Sequence, residues 1–180
     1  AGGMMCYNAA CFMNEVYGII GMCFLKNDDK TTSKETAKMG WANWFAFPVM
    51  NILCKTGLRR MKLPMKDVTK MNLLTINKHA LKIFLKDKES SGASVQLQFL
   101  YSLTHYKSPI PPAQFDKCPI LLTQPDQDKW TPLRLSEIAM KEIIAPFTVK
   151  FLNGGGHYPM EETALQQLFA YSVEFIKSLK

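Results

Sequence analysis

The sequence predicts an α/β protein whose parallel sheet is interrupted by a helical insertion. Short apolar segments of the strand type alternate with longer amphipathic segments in the last third of the chain, which is the order expected for right-handed crossovers between parallel strands. The first predicted strand is apolar almost without interruption, as is typical of a strand covered on both faces. In the middle of the chain, apolar residues recur only at helical spacing. The proline-rich stretch 109–112 links this insertion to the last third of the chain.

The elements at the two ends of the chain make up the predicted core. Residues 1–13 are expected to form a helix buried on most sides, because small and apolar residues occupy positions all around it. In the last helix, apolar residues three and four positions apart predict a face that packs on the sheet. These residues are Leu165, Leu168, Phe169, Val173 and Ile176. The predicted strands are 15–25, 119–123 and 147–152, and the helices that follow them are 131–144 and 162–179.

Residues 29–116 form the predicted insertion, between core segments 1–28 and 117–180. A helix with a kink at Pro48 is indicated by apolar residues at helical spacing. They are Trp41, Trp44, Phe45, Val49, Ile52 and Leu53. Short helices are expected at 71–77 and 80–85, and a turn at 90–94 precedes an amphipathic run at 95–106.

The positive charge of the chain is concentrated in its middle. The formal net charge is +7, but residues 26–117 carry 16 Lys and Arg against 7 Asp and Glu, a net of +9. This segment therefore faces acidic lipid, an anionic substrate or simply solvent. Nucleic acid is not an expected partner, because the lysines alternate with Met and Leu at core-like spacing and form no run with exposed aromatic residues.

The cysteines and the apolar runs limit the location and the cofactors. Five cysteines without a Cys-x-x-Cys pair indicate reduced thiols in a cytoplasmic setting, and neither a disulfide framework nor a zinc site. We expect no metal and no cofactor. No run reaches the roughly 20 apolar residues of a membrane span, and the first residues lack the basic and apolar segments of a secretory signal.

The stretch Asn153–Pro159 places His157 on a glycine turn between a predicted strand and a predicted helix. Proline and acidic residues at the start of that helix suit its positive end. The glycines allow the backbone to pass close to whatever the imidazole serves. Two interpretations remain open from these residues: a catalytic base, or a plain connection with an exposed histidine.

The loop that follows the strand 119–123 carries two acids, Asp126 and Asp128. In open parallel sheets, sites lie at the carboxyl ends of strands, so this loop and the histidine loop belong to the same edge. A carboxylate there accepts the imidazole N–H, fixes the tautomer and stabilises the imidazolium that forms during proton transfer.

Both loops resemble those of the α/β-hydrolases, specifically the C-terminal half of that family. The stretch Cys118–Pro132 is similar to the family's strand, acid and D-x-x-x-P loop, and Gly155–Glu162 to its G-H-x-P-x-E-E histidine loop. The resemblance covers residues 1–27 and 117–180, and the middle corresponds to the family's variable cap or lid. It implies that His157 is the general base and Asp128 its orienting acid. Asp126 is a second choice for the acid, and Asp28 or Asp29 a third.

The start of the chain departs from the family pattern. The nucleophile motif of the family is G-x-S-x-G followed by a helix, and Ala1-Gly2-Gly3 is similar to it from the residue after the serine onward. The resemblance therefore places the nucleophile before Ala1, whose N–H would serve the oxyanion hole if a peptide bond precedes it. Ser94 lies in an incomplete imitation of this motif and is expected to cap a helix. His79 and His105 are read as ordinary cap residues.

Two functions follow from these interpretations. The first is the C-terminal part, with lid, of an esterase-like or lipase-like serine hydrolase that cleaves a hydrophobic ester. The other is a non-catalytic fragment or binding module that retains the half-fold. In both cases the 180-residue chain alone is expected to be inactive. We also expect it to self-associate or to pair with an N-terminal half, because the strand 16–25 would have one unpaired edge.

Overall fold

The computed structural model describes residues 2–38 and 43–179, the side chains of residues 43–47 excepted. Ala1 and Trp41 lie outside the described residues, as do the side chains of Trp44 and Phe45. The elements in chain order are α1 Gly2–Phe12, β1 Ile19–Gly21, α2 Lys30–Thr36, α3 Asn43–Cys54, β2 Lys62–Pro64, α4 Met65–Val68, α5 Lys78–Lys86, β3 Ser94–Gln96, α6 Leu97–His105, β4 Ile120–Pro125, α7 Leu133–Met140, β5 Phe147–Leu152 and α8 Glu162–Ser178.

The chain divides into two compact units, one made of residues 1–26 and 108–180 and the other of residues 27–107. The first contains a three-stranded parallel sheet in the order β1-β4-β5. The predicted α/β class with a parallel sheet is therefore confirmed. The second contains short helices and the antiparallel pair of β2 with β3. Its interpretation as a cap stays a prediction.

β4 is the central strand of the sheet, between β1 and β5, and its six residues are all buried. Ile120 and Leu122 face a core cluster that includes Met4 and Tyr7 of α1 and Met140 of α7. On the far side of the cluster, the Tyr7 hydroxyl donates a 2.8 Å hydrogen bond to the carbonyl of Ile110. α8 packs against β4 and β5. The strand is thus covered on both faces, which explains its continuous apolar sequence.

β1 is much shorter than the predicted strand 15–25, since only Ile19–Gly21 pairs with β4. The residues before it approach α8 closely: a Cβ on Gly18 would lie 2.8 Å from carbons of Phe175 and Leu179. The residues after it turn toward α7, where the Phe24 N–H donates to the Ser136 hydroxyl at 3.0 Å. The apolar sequence therefore continues past both ends of the strand because most of the flanking residues are buried or half-buried, although Tyr17 is exposed.

Two helix faces were predicted wrongly. α1 buries Gly3, Met4, Tyr7 and Ala10, but Met5 and Phe12 are exposed, so the helix is not buried on most sides. In α8, Leu165, Phe169 and Ile176 are also exposed, whereas Ala164 is buried and Leu168 is half-buried. The apolar spacing was correct for a helix, but α8 carries two apolar stripes and only one of them lies on the sheet.

Several boundaries also differ. α7 ends at Met140, four residues earlier than predicted, and the predicted helix 71–77 is a single 3₁₀ turn at Met71–Leu73. Ser94 begins β3 and does not cap a helix, because α6 starts at Leu97 after Gln96. The first residues of the amphipathic run 95–106 therefore belong to a strand that pairs with β2.

Among the described residues, no helix has the length and apolarity needed to cross a membrane. The cytoplasmic location stays a prediction.

One further contact fixes the end of α1. The Lys117 ammonium donates hydrogen bonds to the carbonyl oxygens of Ala10, Cys11 and Met13, at 3.3, 3.2 and 2.7 Å. A cation at this position satisfies the unpaired carbonyls of a helix end and complements its negative dipole. It joins the first helix to the segment that leads into β4.

Candidate active site

The two loops singled out in the sequence start at the same edge of the sheet. Pro125 and Leu152, the last residues of β4 and β5, are directly paired in the parallel register. Two backbone hydrogen bonds then join the loops: the Asp126 N–H donates to the carbonyl of Leu152 at 3.1 Å, and that of Gln127 donates to Gly155 at 3.0 Å. The acid and histidine loops therefore leave the sheet as one connected layer.

Asp128 and His157 meet above this layer. The imidazole Nδ1 lies 2.9 Å from Oδ2 of the carboxylate, within the expected hydrogen-bond distance. The Asp128 side chain is 1% exposed and that of His157 is 18% exposed. A buried acid thus holds one nitrogen of a histidine that remains partly open to solvent. This is the geometry in which a carboxylate orients an imidazole for proton transfer.

Asp128 is held by three further donors. Its Oδ1 accepts hydrogen bonds from the backbone N–H groups of Trp130 at 2.9 Å and Thr131 at 2.8 Å. Its Oδ2 accepts from the Thr131 hydroxyl at 2.7 Å. Burial raises the pKa of this carboxyl, but the hydrogen bond and charge of His157, together with the bonds from Thr131, outweigh burial and lower the pKa below its ordinary value. Asp128 is therefore ionised at neutral pH.

The histidine loop is shaped by a glycine and by two acids. Gly154 has φ of +74°, a conformation that side chains other than glycine rarely adopt. Its N–H donates to Oδ1 of Asp126 at 2.7 Å. On the other side of His157, Oε2 of Glu161 accepts from the N–H groups of Gly156 and Met160, at 3.4 and 3.0 Å. The loop is thus tied at both ends.

An aromatic ring borders the imidazole. The Trp130 ring centroid lies 4.7 Å from that of His157, with the planes inclined by 50°. Trp130 follows Asp128 by two residues, so the turn that presents the carboxylate also presents the indole. The imidazole is therefore contacted by a hydrogen-bonded acid and by an apolar ring, and both come from the loop that follows β4.

The other acids considered from the sequence have different partners. Asp126 is exposed and its side chain accepts from the Gly154 N–H, so it holds the histidine loop, whereas the ring nitrogen of His157 is bonded by Asp128. Asp29 caps α2 by accepting from the Thr32 N–H at 2.9 Å. Asp28 lies in the turn just before it. His79 and His105 occupy the first turn of α5 and the last turn of α6.

Sequence reasoning missed Thr131, Trp130 and Glu161. Thr131 stands three residues after Asp128, which is the spacing at which an aspartate side chain accepts hydrogen bonds from the backbone that follows it. That spacing could have indicated Thr131. Glu161 belongs to the quoted histidine-loop motif, yet its bonds to the loop backbone depend on the path of residues 156–160.

The N-terminus of α1 lies at the same end of the sheet. A Cβ on Gly3 would lie 2.3 Å from the carbonyl oxygen of Cys23, just after β1, so only glycine permits this approach. Gly21 is similarly tight, at 3.1 Å from the Gly3 Cα. The helix therefore starts at the carboxyl end of β1, which is the edge that also carries the acid and histidine loops. Ala1, the expected oxyanion-hole residue, lies outside the described residues.

Metal ligation has no visible basis in this region. Within residues 2–38 and 43–179, the structure contains no group of three or more His, Cys, Asp or Glu side chains arranged to hold a metal ion. The chemistry that this arrangement itself supplies is proton transfer at the imidazole.

Comparison with known proteins bears on the fold. No protein-family model and no curated protein sequence matches the chain. The chain is similar to the crystal structure of a monoacylglycerol lipase from Paleococcus ferrophilus, with a TM-score of 0.66 and 14% identity over 100% of this chain and 66% of that one. A soluble variant of monoglyceride lipase from Saccharomyces cerevisiae gives a TM-score of 0.71 at 15% identity, over 99% of this chain and 59% of that one.

A third solved structure, of DcsB in complex with its substrate analogue, gives a TM-score of 0.63 at 15% identity. It is covered to 62% of its length, and this chain to 99%. The chain thus spans about 59 to 66% of the length of these neighbours. At this level of identity the similarity concerns the fold. The parallel sheet, its helices and these neighbours together identify the chain as part of an α/β-hydrolase fold.

Proposed function

We propose that this chain is the acid and histidine part of a serine hydrolase that cleaves a hydrophobic ester by acyl transfer. The observation that carries the proposal is the 2.9 Å hydrogen bond between Asp128 and His157 at the carboxyl ends of two paired strands. The start of α1 at the same sheet edge supports it, because that helix is where the fold would present a nucleophile. The fold of the neighbours is a second support.

In the proposed reaction, a serine that precedes Ala1 attacks the ester carbonyl while its proton passes to Nε2 of His157. Asp128 stabilises the resulting imidazolium through Nδ1. The tetrahedral intermediate then expels the alcohol, which receives that proton, and an acyl-enzyme remains. Water repeats the sequence on the acyl-enzyme: His157 takes its proton, the acid is released and the serine is restored. The N–H of Ala1 is proposed as one donor to the oxyanion.

The substrate class is proposed as an ester with a hydrophobic acyl chain. Two of the neighbours are named as lipases for monoacylglycerol or monoglyceride. We extend only the general character of such esters to this protein. The unit 27–107 is proposed as the cap, and its contact with lipid stays a prediction from its basic charge.

We further propose that the unpaired side of β1 is covered by a strand of the protein's N-terminal half or, in the isolated chain, by a second copy. In the part of the chain that the structure describes, β1 pairs with β4 alone. Met5, Phe12 and Tyr17 are 66, 72 and 73% exposed beside it in sequence. Apolar edges and patches of this kind are usually covered in stable proteins.

The enzymatic proposal is tested by a fluorophosphonate probe, which labels activated serines. The protein expressed from its reading frame with the codons upstream of Ala1 is expected to label, and His157→Ala is expected to abolish labelling. Asp128→Asn should reduce the labelling rate by at least about a hundredfold, since the histidine loses its orienting carboxylate.

The controls use this longer protein and the 180-residue chain. His105→Ala, at an exposed helix end, should label at the wild-type rate. The 180-residue chain alone should not label, and labelling of it would require a nucleophile within the chain. A longer protein that folds but does not label with the probe would favour the alternative of a non-catalytic fragment or binding module.

A further inference from the structure

Thr131 occupies a fixed position in the loop that carries Asp128. The residue is 1% exposed. Its backbone N–H donates to Oδ1 of Asp128 at 2.8 Å, and its carbonyl accepts from the buried amide of Gln124 at 3.3 Å. Both backbone polar groups are therefore engaged with other buried residues. The side chain consequently has little freedom to move away from the carboxylate.

The hydroxyl of Thr131 completes a triangle with the acid and the histidine. Its Oγ1 lies 2.7 Å from Oδ2 of Asp128 and 2.9 Å from Nδ1 of His157. Those two atoms are themselves 2.9 Å apart. Three polar atoms are thus in mutual hydrogen-bond contact inside a nearly closed part of the molecule.

Counting protons in this triangle leaves one consistent arrangement. The carboxylate accepts only, so Oδ2 needs donors from both neighbours. The hydroxyl has one proton, which it donates to Oδ2, and its oxygen then faces Nδ1 as an acceptor. If Nδ1 carried no proton, its lone pair would face two other acceptor atoms at 2.9 Å. A proton on Nδ1 instead satisfies both contacts.

We propose that Thr131 is a positioning residue whose hydroxyl holds His157 in the tautomer protonated at Nδ1, with the lone pair on Nε2. This inference rests on the proposed function for its significance, because Nε2 is the atom that would receive the serine proton. The hydroxyl gives Nδ1–H a second acceptor and removes the neutral alternative in which Nε2 carries the proton. It also fixes the ring in one plane.

The test uses the 180-residue chain with ¹⁵N-labelled histidine. The chain contains three histidines, so the imidazole spectrum is simple. Long-range ring couplings report which nitrogen carries the proton, and water exchange reports how well the Nδ1 proton is held. Wild type and Thr131→Ser, which keeps a hydroxyl, are expected to show His157 protonated at Nδ1 with slow exchange.

Thr131→Val keeps the shape of the side chain and removes the hydroxyl. We expect its Nδ1 proton to exchange at least about tenfold faster, as suits the loss of one hydrogen bond to a charged network. In this variant, a larger fraction of His157 than in wild type is also expected to be protonated at Nε2. His79 and His105 serve as internal references whose signals should not change. If Thr131→Val is unfolded, Thr131→Ala carries the same expectation, since it adds no methyl group against the carboxylate.

Two results would overturn the inference. One is a wild-type His157 protonated at Nε2. The other is a folded Thr131→Val or Thr131→Ala whose tautomer and exchange rate equal those of Thr131→Ser. Both readouts are independent of any serine, so this inference and the proposed function can fail separately: the first in the imidazole spectrum, the second in probe labelling.

Discussion

The two outer strands of the core sheet differ in how they meet solvent. β5 pairs with β4 over six residues and carries Lys150, which forms an ion pair with Glu174 at 3.8 Å and lies over the Tyr171 ring. β1 pairs over three residues and has no charged residue from Val16 to Leu25. A lysine on an outer strand is a common device against further pairing. β5 is therefore built as an edge, whereas β1 has the character of an inner strand.

The difference has a consequence for the candidate site. The acid and histidine loops follow β4 and β5, and the hydrogen bonds that hold the Asp128 carboxylate and Nδ1 of His157 all come from these two loops. The start of α1 lies on the β1 side. The geometry of the acid and histidine pair therefore does not depend on what covers β1, while that of α1 does.

The largest expected effect on stability is at β4, the strand that pairs with both β1 and β5. Leu122 of β4 is fully buried, so Leu122→Ala should lower the free energy of unfolding by about 2 to 5 kcal/mol. Leu165→Ala, in the exposed stripe of α8, should change it by less than about 0.5 kcal/mol. Urea unfolding followed by circular dichroism measures both. Equal losses would mean that the exposed stripe is buried in solution.

A smaller effect is expected at the acid. Asp128→Asn should lower stability by about 1 to 3 kcal/mol at pH 7, because the variant loses its charged hydrogen bonds. The pKa of Asp128 is lowered in the folded protein, so its contribution is complete above the unfolded value of about 3.9 and disappears as the pH falls through the lower folded value. The gap between wild type and variant should therefore narrow as the pH falls below the unfolded value and close below the lowered folded pKa of Asp128.

Asp126→Asn is the matched control for that experiment. Its amide oxygen can still accept from the Gly154 N–H, and the side chain is exposed, so little change in stability is expected at any pH. A gap between wild type and Asp128→Asn that stays constant down to pH 2 would contradict the assignment of the charged pair.

The smallest change in stability is expected on the β1 side. Phe12→Ser should alter the free energy of unfolding by less than about 0.5 kcal/mol, because Phe12 is 72% exposed. Its effect should appear in sedimentation, where the wild-type chain is expected to associate at micromolar concentration and the variant to shift toward the 20.4 kDa monomer. Phe99→Ser, at another exposed phenylalanine, is the control. A monodisperse wild-type monomer would refute the proposed association.

The two elements that flank the histidine loop, β5 and α8, were predicted from the sequence more accurately than the elements elsewhere. Phe147–Leu152 was predicted to the residue, and α8 to within one, because glycine, proline and acidic residues mark their ends. The expected contact between Asp128 and His157 is present. The extent of β1 was not predictable in the same way, since burial without pairing leaves the same apolar sequence as a strand.

Which stripe of α8 lies on the sheet was also beyond the sequence. Both stripes are apolar at helical spacing, and the choice depends on small residues such as Ala164, which packs close to Gly155. The role of Thr131 was not predictable from the sequence for a similar reason. Its hydroxyl matters through two atoms from separate loops, and only the fold brings those atoms to one point.

The pairing of β1 with β4 joins segments that are far apart in the sequence, and this separation affects the order in which the molecule folds during synthesis. Ile19 pairs with Ile120, about 100 residues later in the chain. At ribosomal rates of about 5 to 20 residues per second, β1 emerges roughly 5 to 20 seconds before its partner. Residues 27–107 form a compact unit of their own and are able to fold during that interval. Contacts so distant in sequence slow folding, so β1 and α1 wait longest during synthesis for the contacts that bury their apolar residues.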